Sequence, residues 1–255
     1  MVNLGEQSEI TFFYKNRVVG STFAHVHTQS METAFQRSNT MTVAEIKKET
    51  YWSRFADDFE ERQRSITGKE VISSAQSELL KETNFGNVLE LGCGTGLYTE
   101  TLKDNAVHVV ATDFSDEMIA AARKKRGGFQ NVEFEKADAL NLSYEDNRFD
   151  TVFMANLIHV IGDAERVVSE SRRVLKTGGS IVITSFAIEE MSFFNRLSMG
   201  IRFLRTFGKP SKEATREDTS KEQIEAILAR NGFDIATSKV LGDKAKATYI
   251  IARKK

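Results

Sequence analysis

The chain has 255 residues, with 35 basic and 36 acidic side chains, so no global field of one sign draws it to nucleic acid or to an anionic membrane. Apolar residues make up 40%, enough for one large core, and the length fits one α/β domain with extensions better than two independent domains. A single cysteine, Cys93, excludes an intrachain disulfide and a cysteine-built metal site; with no apolar run near the roughly eighteen residues of a spanning helix and no secretory pattern, a soluble, cytoplasmic protein is expected.

Residues 1–40 are rich in Ser, Thr and Gln, carry only short apolar clusters such as Thr11–Tyr14, and read as a weakly ordered N-terminal extension. His25 and His27 lie there without cysteines or carboxylates at fitting positions, so no metal site is expected. From residue 41 to 255 one domain is expected, opening with a helical cap over 41–84. Between Val43 and Arg64 the positions of Ile46, Trp52, Phe55, Ala56 and Phe59 fit one or two amphipathic helices, and another helix is expected over Lys69–Lys81. Apolar runs at Val88–Leu91, Val107–Ala111, Val132–Phe134, Thr151–Met154 and Ser180–Thr184 then alternate with helical stretches at Leu97–Lys103, Asp116–Lys125 and Ala164–Leu175. The last of these helices is expected to close on Gly178 and Gly179 as its C-cap. The alternation predicts a doubly wound parallel sheet whose strand ends share one crevice. An apolar helix over Glu189–Phe207, a polar loop around the sole proline, Pro210, a helix over Ser220–Arg230 and strands over Asp234–Val240 and Thr248–Ala252 complete the chain.

Residues 88–96 read Val-Leu-Glu-Leu-Gly-Cys-Gly-Thr-Gly, an apolar strand interrupted by an acid and followed by a glycine loop. Glycines let backbone amides approach a ligand where a Cβ would collide. A dinucleotide fingerprint has the spacing G-x-G-x-x-G, but here the third glycine, Gly96, comes one residue early, and Glu90 repels a pyrophosphate.

The nonapeptide resembles the first motif of class I S-adenosylmethionine-dependent methyltransferases, of the small-molecule type, and the resemblance extends from about residue 86 to about residue 185. It implies a Rossmann-like α/β fold: a mostly parallel seven-stranded sheet, helices on both faces, and an antiparallel last strand. It also implies S-adenosylmethionine as cofactor and S-adenosylhomocysteine as product. The loop of Gly92, Cys93, Gly94, Thr95 and Gly96 would face the methionine part, whose cationic sulfonium and ammonium suit Glu90. Asp113, at the end of the second strand, would accept the two ribose hydroxyls; the bland alternative is that it caps the following helix. Phe114 and Met118 stand where a ring and a thioether could flank adenine, although such spacing also suits a core. Ala137, Asp138 and Ala139 match the segment that reads the adenine edge, and the alternative for Asp138 is a turn residue bonding its own backbone. Asn156, Leu157 and His159 match the segment lining cofactor and acceptor; Tyr51, with Trp52 and Phe55, stands where relatives close an aromatic residue over the cofactor. Asp150 begins its strand at the far end and His108 sits in a strand, so both read as structural.

Methyl transfer is an in-line displacement that needs alignment more than a base. His159 is the candidate proton acceptor or acceptor-positioning residue and Asn156 its neighbour; a packing role for His159 is the alternative. The helix after the fifth strand is expected to form a lid over about 188–220, its Phe and Met side chains favouring an apolar or bulky small-molecule acceptor. Its Arg196, Arg202 and Arg205 suit an anionic group or peripheral membrane contact. Nucleic acid is disfavoured by the charge balance. Other readings are a lipid, quinone or protein acceptor, a noncatalytic cofactor-binding partner module, and a nicotinamide enzyme, which the glycine spacing disfavours. One departure from the family pattern is Thr177, where a proline is usual in the turn before the fifth strand. Oligomeric state is not readable from sequence.

Overall fold

The computed structural model of the protein describes residues 51–209 and 220–255. The 1–40 extension, Ile46, the His25–His27 pair and Pro210 lie outside the described residues. After helical residues 51–53 the chain turns over 54–58 and enters α1 (Phe59–Thr67), then α2 (Lys69–Lys81). Of the one or two helices expected over Val43–Arg64, the described part is therefore divided by a turn before Phe59. Gly68 joins α1 to α2 at φ 77°, a left-handed turn that glycine adopts without a Cβ clash.

The elements β1 (Gly86–Leu91), α3 (Thr99–Leu102), β2 (Ala106–Asp113), α4 (Asp116–Arg126), β3 (Val132–Lys136), β4 (Phe149–Ala155), α5 (Ala164–Val174) and β5 (Leu175–Phe186) follow in order. Then come α6 (Phe193–Phe207), α7 (Lys221–Arg230), β6 (Phe233–Leu241) and β7 (Ala247–Lys254). The seven strands form one sheet in the order β3-β2-β1-β4-β5-β7-β6. Strands β1 to β5 pair in parallel, while β7 lies antiparallel between β5 and β6. This is the doubly wound, mostly parallel sheet with an antiparallel last strand expected of a Rossmann-like methyltransferase.

Side chains alternate across the sheet with the strand period of two. Leu89, Val152, Met154, Ile181, Ile183 and Ile250 bury on one face with α5 and α7, and Val88, Phe153, Val182, Tyr249 and Ile251 on the other with α2. Strands buried on both faces read as near-continuous apolar runs, which is why Val152–Met154 of β4 and Ile181–Ile183 of β5 are recognisable in the sequence, while β1 is marked as well by Glu90.

The Gly178–Gly179 cap is a correction. Helix α5 ends at Val174, its C-cap Leu175 is already extended, and both glycines lie within β5. Leu175 is fully buried and pairs with Phe149 of β4, so tertiary packing pulls the chain into the sheet before any glycine is reached. At the same end, Asp150 accepts a hydrogen bond from the Asn87 amide at 2.9 Å and an ion pair from Lys176 at 2.7 Å. Asp150 thus ties the first residues of β1, β4 and β5 together, consistent with a structural role.

Candidate active site

Sheet order reverses about β1, which has β2 on one side and β4 on the other, and such a switch point opens a crevice at the carboxyl ends of the strands. The glycine loop leaves β1 there. Gly92, Gly94 and Gly96 all adopt positive φ, at 69°, 55° and 89°. The loop is stitched to β2 by the Cys93 amide donating to the Thr112 carbonyl at 2.8 Å. The Gly94 amide donates to Asp113 Oδ2 and the Ser115 amide to Asp113 Oδ1, each at 2.9 Å.

Both Asp113 oxygens thus already receive backbone amides, so the carboxylate is fixed in position at the strand end. It is not the cap of α4. That role falls to Ser115, whose Oγ accepts from the Met118 amide at 3.2 Å and shares a hydrogen bond with Ser53 at 2.8 Å.

Glu90 sits within β1 on the side of the sheet facing α2 and α3, and is 2% exposed. Its Oε2 accepts from Thr99 Oγ1 at 2.5 Å, and its carbonyl accepts from Thr112 Oγ1 at 2.8 Å. Burial pushes its carboxyl up to about 7; the Thr99 hydrogen bond and the charge of Arg126 pull against that, and Asp113 adds to it. The Cys93 thiol is buried and raised well above its ordinary value, chiefly by desolvation and next by Glu90, so it stays protonated and contributes through its backbone.

Behind the loop stands a buried network that the sequence reading missed. Arg126, 8% exposed in the last turn of α4, donates from Nη1 to Glu60 Oε1 at 2.7 Å and to the Thr95 carbonyl at 2.8 Å. Its Nη2 reaches Glu100 at 2.9 Å, and Thr95 Oγ1 donates to the same Glu60 oxygen at 2.8 Å. Desolvation works to raise the Glu60 carboxyl, but the bonds from Arg126 and Thr95 outweigh it and hold it below the ordinary value. A Cβ on Gly96 would come within 2.9 Å of Arg126 Cδ, so the guanidinium stem packs directly under the loop. In sequence, Arg126 ends the run Arg123-Lys124-Lys125-Arg126, which looks like a solvated face.

The segment after β4 packs on the other side of the loop. Asn156 turns the chain at φ 55°, a left-handed conformation that Asn tolerates better than most residues, and its amide donates to the Thr184 carbonyl at 2.8 Å. Leu157 lies where a Cβ on Gly92 would meet its Cδ1 at 3.0 Å. His159 is buried, with Nδ1 and Ser185 Oγ 3.0 Å apart at the end of β5 and its ring beside Phe186. Ser185 was not anticipated.

Other predicted residues take more local positions. Asp138 Oδ1 accepts from the Leu140 amide at 2.9 Å, the turn bond weighed as its bland alternative; Ala137 and Ala139 pack against the core beside it. Phe114 is half-buried, with the Lys136 ammonium 5.6 Å from its ring centre. Met118 is buried with Ala56 and Ala121 against Trp52 and Phe59. His108 sits at the edge of the fold, 3.9 Å from Glu133.

An aromatic cap closes over this region. Tyr51, Phe55, Met191, Met199 and Phe207 bury one another, and Phe59 lies 3.5 Å from where a Gly94 Cβ would be. Tyr51 is buried beside Arg54, whose guanidinium carbon lies 4.7 Å from its ring centre, and burial pushes its hydroxyl above the ordinary value. From α6, the inward side chains are Met199, Phe203 and Phe207, whereas Phe193, Phe194, Leu197, Ile201 and Leu204 face outward. Only part of the expected apolar lid lining therefore turns toward the cap.

A methyltransferase domain model matches residues 89–183, the stretch from β1 to β5. The chain is 37% identical over 146 residues to a phosphatidylethanolamine N-methyltransferase of Cereibacter sphaeroides, covering 56% of this chain and 71% of that protein. It is 36% identical over 109 residues to a demethylmenaquinone methyltransferase of Clavibacter sepedonicus, covering 43% of this chain and 44% of the relative, so it spans less than half of that protein. Its fold is similar to that of an S-adenosylmethionine-dependent methyltransferase from Thermotoga maritima, with a TM-score of 0.65 and 22% identity over 82% of this chain and all of the other. The chain belongs to the class I S-adenosylmethionine-dependent methyltransferase family. Within that family it is similar to enzymes named for phospholipid and quinone acceptors.

Proposed function

We propose that the protein transfers a methyl group from S-adenosylmethionine to a small apolar or bulky acceptor of the lipid or quinone kind. The observation that carries the donor reading is the buried Glu90 beneath three left-handed glycines. A buried carboxyl raised to about 7 despite the pull of Thr99 and Arg126 is matched to a positively charged ligand and mismatched to a pyrophosphate. The donor, when bound, supplies an electrophilic methyl on a sulfonium.

In this reading the residues of the chain bind, orient and exclude water. Gly92 to Gly96 present backbone at close range, and Asp113, fixed by two amides at the strand end, is placed to accept ribose hydroxyls. Phe114, Ala137, Asp138 and Ala139 form the adenine side, and Tyr51 belongs to the cap. Asn156, Leu157 and His159 face the acceptor. The bond to Ser185 orients the His159 ring, and His159 is the group to take a proton when the acceptor loses one. The described parts of the expected cap and lid, residues 51–84 and 188–209, serve in those roles, the rest of 41–84 and of about 188–220 lying outside the described residues. The names of the relatives support an apolar acceptor, as do the inward Met199, Phe203 and Phe207.

Calorimetry with S-adenosylmethionine, S-adenosylhomocysteine and NADH tests the donor: binding of the first two and not the third is expected, and failure of both adenosyl ligands to bind overturns the proposal. Turnover with labelled donor over phosphatidylethanolamine, a demethylated quinone and small polar amines tests the acceptor. Preference for the polar amines would refute its apolar half. If His159 takes the proton, His159→Gln lowers kcat and flattens its pH profile near neutrality; an unchanged profile removes that role.

A further inference from the structure

Helix α6 is apolar on two faces. Its inner face, Met199, Phe203 and Phe207, packs into the aromatic cap. Its outer face carries Phe193, Leu197, Ile201 and Leu204, at helical steps of four, four and three, with Phe194 alongside. These positions fall on one stripe about 100° wide. None of the five is covered: Phe193 is 65% exposed and Phe194 is 79% exposed. Scattered exposed apolar residues need no explanation, but a contiguous stripe on one helix does.

The charges carried by α6 itself have one sign. Helix α6 contains Arg196, Arg202 and Arg205 and no acidic residue, and Lys209 follows it. Its C-terminal carbonyls are taken by two further arginines, Arg54 on Phe207 O at 3.3 Å and Arg62 on Thr206 O at 2.5 Å. The exposed acids nearest in sequence, Glu189 and Glu190, precede the helix, and beside its C-terminal end Asp58 pairs with Arg62 at 2.6 Å, which leaves Arg196, Arg202, Arg205 and Lys209 as the charges that α6 and its end add to the face.

We propose that the outer face of α6 docks the protein onto an anionic phospholipid membrane surface. A helix anchored by its inner face, with exposed phenylalanines and leucines flanked by arginines, has the form of an interfacial helix lying in the membrane plane. The apolar stripe enters the acyl boundary while the arginines meet lipid phosphates. A second copy of the chain is a poorer occupant. Fifteen residues give a stripe about 22 Å long and about 10 Å wide, on the order of 200 Å², against the ~800 Å² per partner of a stable interface. Because α6 follows β5 at the end of the sheet that carries the glycine loop, docking there brings the site to the membrane. This surface requires neither the donor nor the acceptor assigned above.

The test uses the full chain and vesicles of phosphatidylcholine with or without phosphatidylglycerol, with no methyl donor present. Sedimentation with the mixed vesicles only, weakening as salt rises, is expected. Phe193→Ser with Phe194→Ser lowers the partition coefficient at least about tenfold, and Arg202→Gln and Arg205→Gln lower it roughly fivefold each, with melting temperatures unchanged because these side chains touch no core. A Phe194→Trp variant, read as the difference from the parent, shifts its emission to shorter wavelength when mixed vesicles are added. Absence of partition, partition unaffected by these substitutions, or a reporter at 194 already shielded before vesicles are added overturns the proposal; the last result assigns the face to another part of the chain or to a second copy. Donor binding measured on the same samples separates this outcome from failure of the methyltransferase reading.

Discussion

Glu90 makes ligand binding a proton-linked event. With its carboxyl raised to about 7 by burial, a cationic ligand beside it favours the ionised form, so binding below that pH expels a proton and affinity rises as pH climbs through about 7. Calorimetry in buffers of different ionisation heat reads this proton directly, and Glu90→Gln is expected to abolish both the release and the pH dependence. The same group acts on stability with a definite sign. Unfolded, it ionises at its ordinary 4.5; folded, it keeps its proton to about 7, so its contribution is fully present below 4.5 and is lost as pH rises to about 7. The loss is about 3 kcal/mol, and subtracting Glu90→Gln denaturation curves from those of the parent isolates it. Glu90 and its loop are legible in the sequence because residue type and spacing carry their chemistry. Asp113 is legible in its place but not in its bonds, since nothing in the sequence tells that the Gly94 amide reaches back to it. Met118 is ambiguous for a physical reason: one apolar spacing serves a ligand wall and a core alike, and here it is buried beneath Trp52 and Phe59.

Three elements meet at Arg126: it is the last residue of α4, binds Glu60 of α1, and holds the Thr95 carbonyl of the glycine loop. Removing Arg126 leaves the largely buried Glu60 with only its longer ion pairs, to Arg64 at 3.4 Å and Lys125 at 3.7 Å, so Arg126→Met is expected to destabilise the protein by about 3 kcal/mol. Replacing both members with apolar residues, Arg126→Met with Glu60→Leu, recovers most of that loss, because the charges that lose a partner, Glu100, Arg64 and Lys125, all reach solvent. Donor affinity is not recovered, because the loop loses its anchor at Thr95 in either case. Urea unfolding midpoints and calorimetry on the single and double variants check both halves; additive losses in stability would refute the coupling. This network is illegible in the sequence because its members are 66 positions or fewer apart but on separate elements, and a basic helix terminus ordinarily means solvent. Strand boundaries fail in the same way at Leu175, where burial in the sheet outweighs the local signal of Gly178 and Gly179.

Across the whole molecule the two ends of the sheet divide the labour. The carboxyl ends carry the glycine loop, Asp113 and the aromatic cap, while the opposite end is held by Asp150, which takes the Asn87 amide and Lys176. Asp150→Ala is expected to lower stability by about 1–2 kcal/mol, leaving the Asn87 amide without its acceptor, and to leave donor affinity unchanged. A matching loss of affinity would show that the two ends are not independent. The alternation of strands and helices makes the parallel half of the sheet legible from β1 to β5, whereas the placement of β7 between β5 and β6 is not, because two short apolar runs say nothing about which one lies inward. That placement has a kinetic consequence. Strands β6 and β7 are joined by a short turn between Leu241 and Ala247, so they can pair early as a hairpin, but β7 must find β5 across a long separation, as in the pairing of Val182 with Ile251. Assembly therefore divides into a locally wound parallel layer and a preformed hairpin that docks onto its exposed β5 edge, and until it docks that edge presents unpaired backbone groups open to another chain.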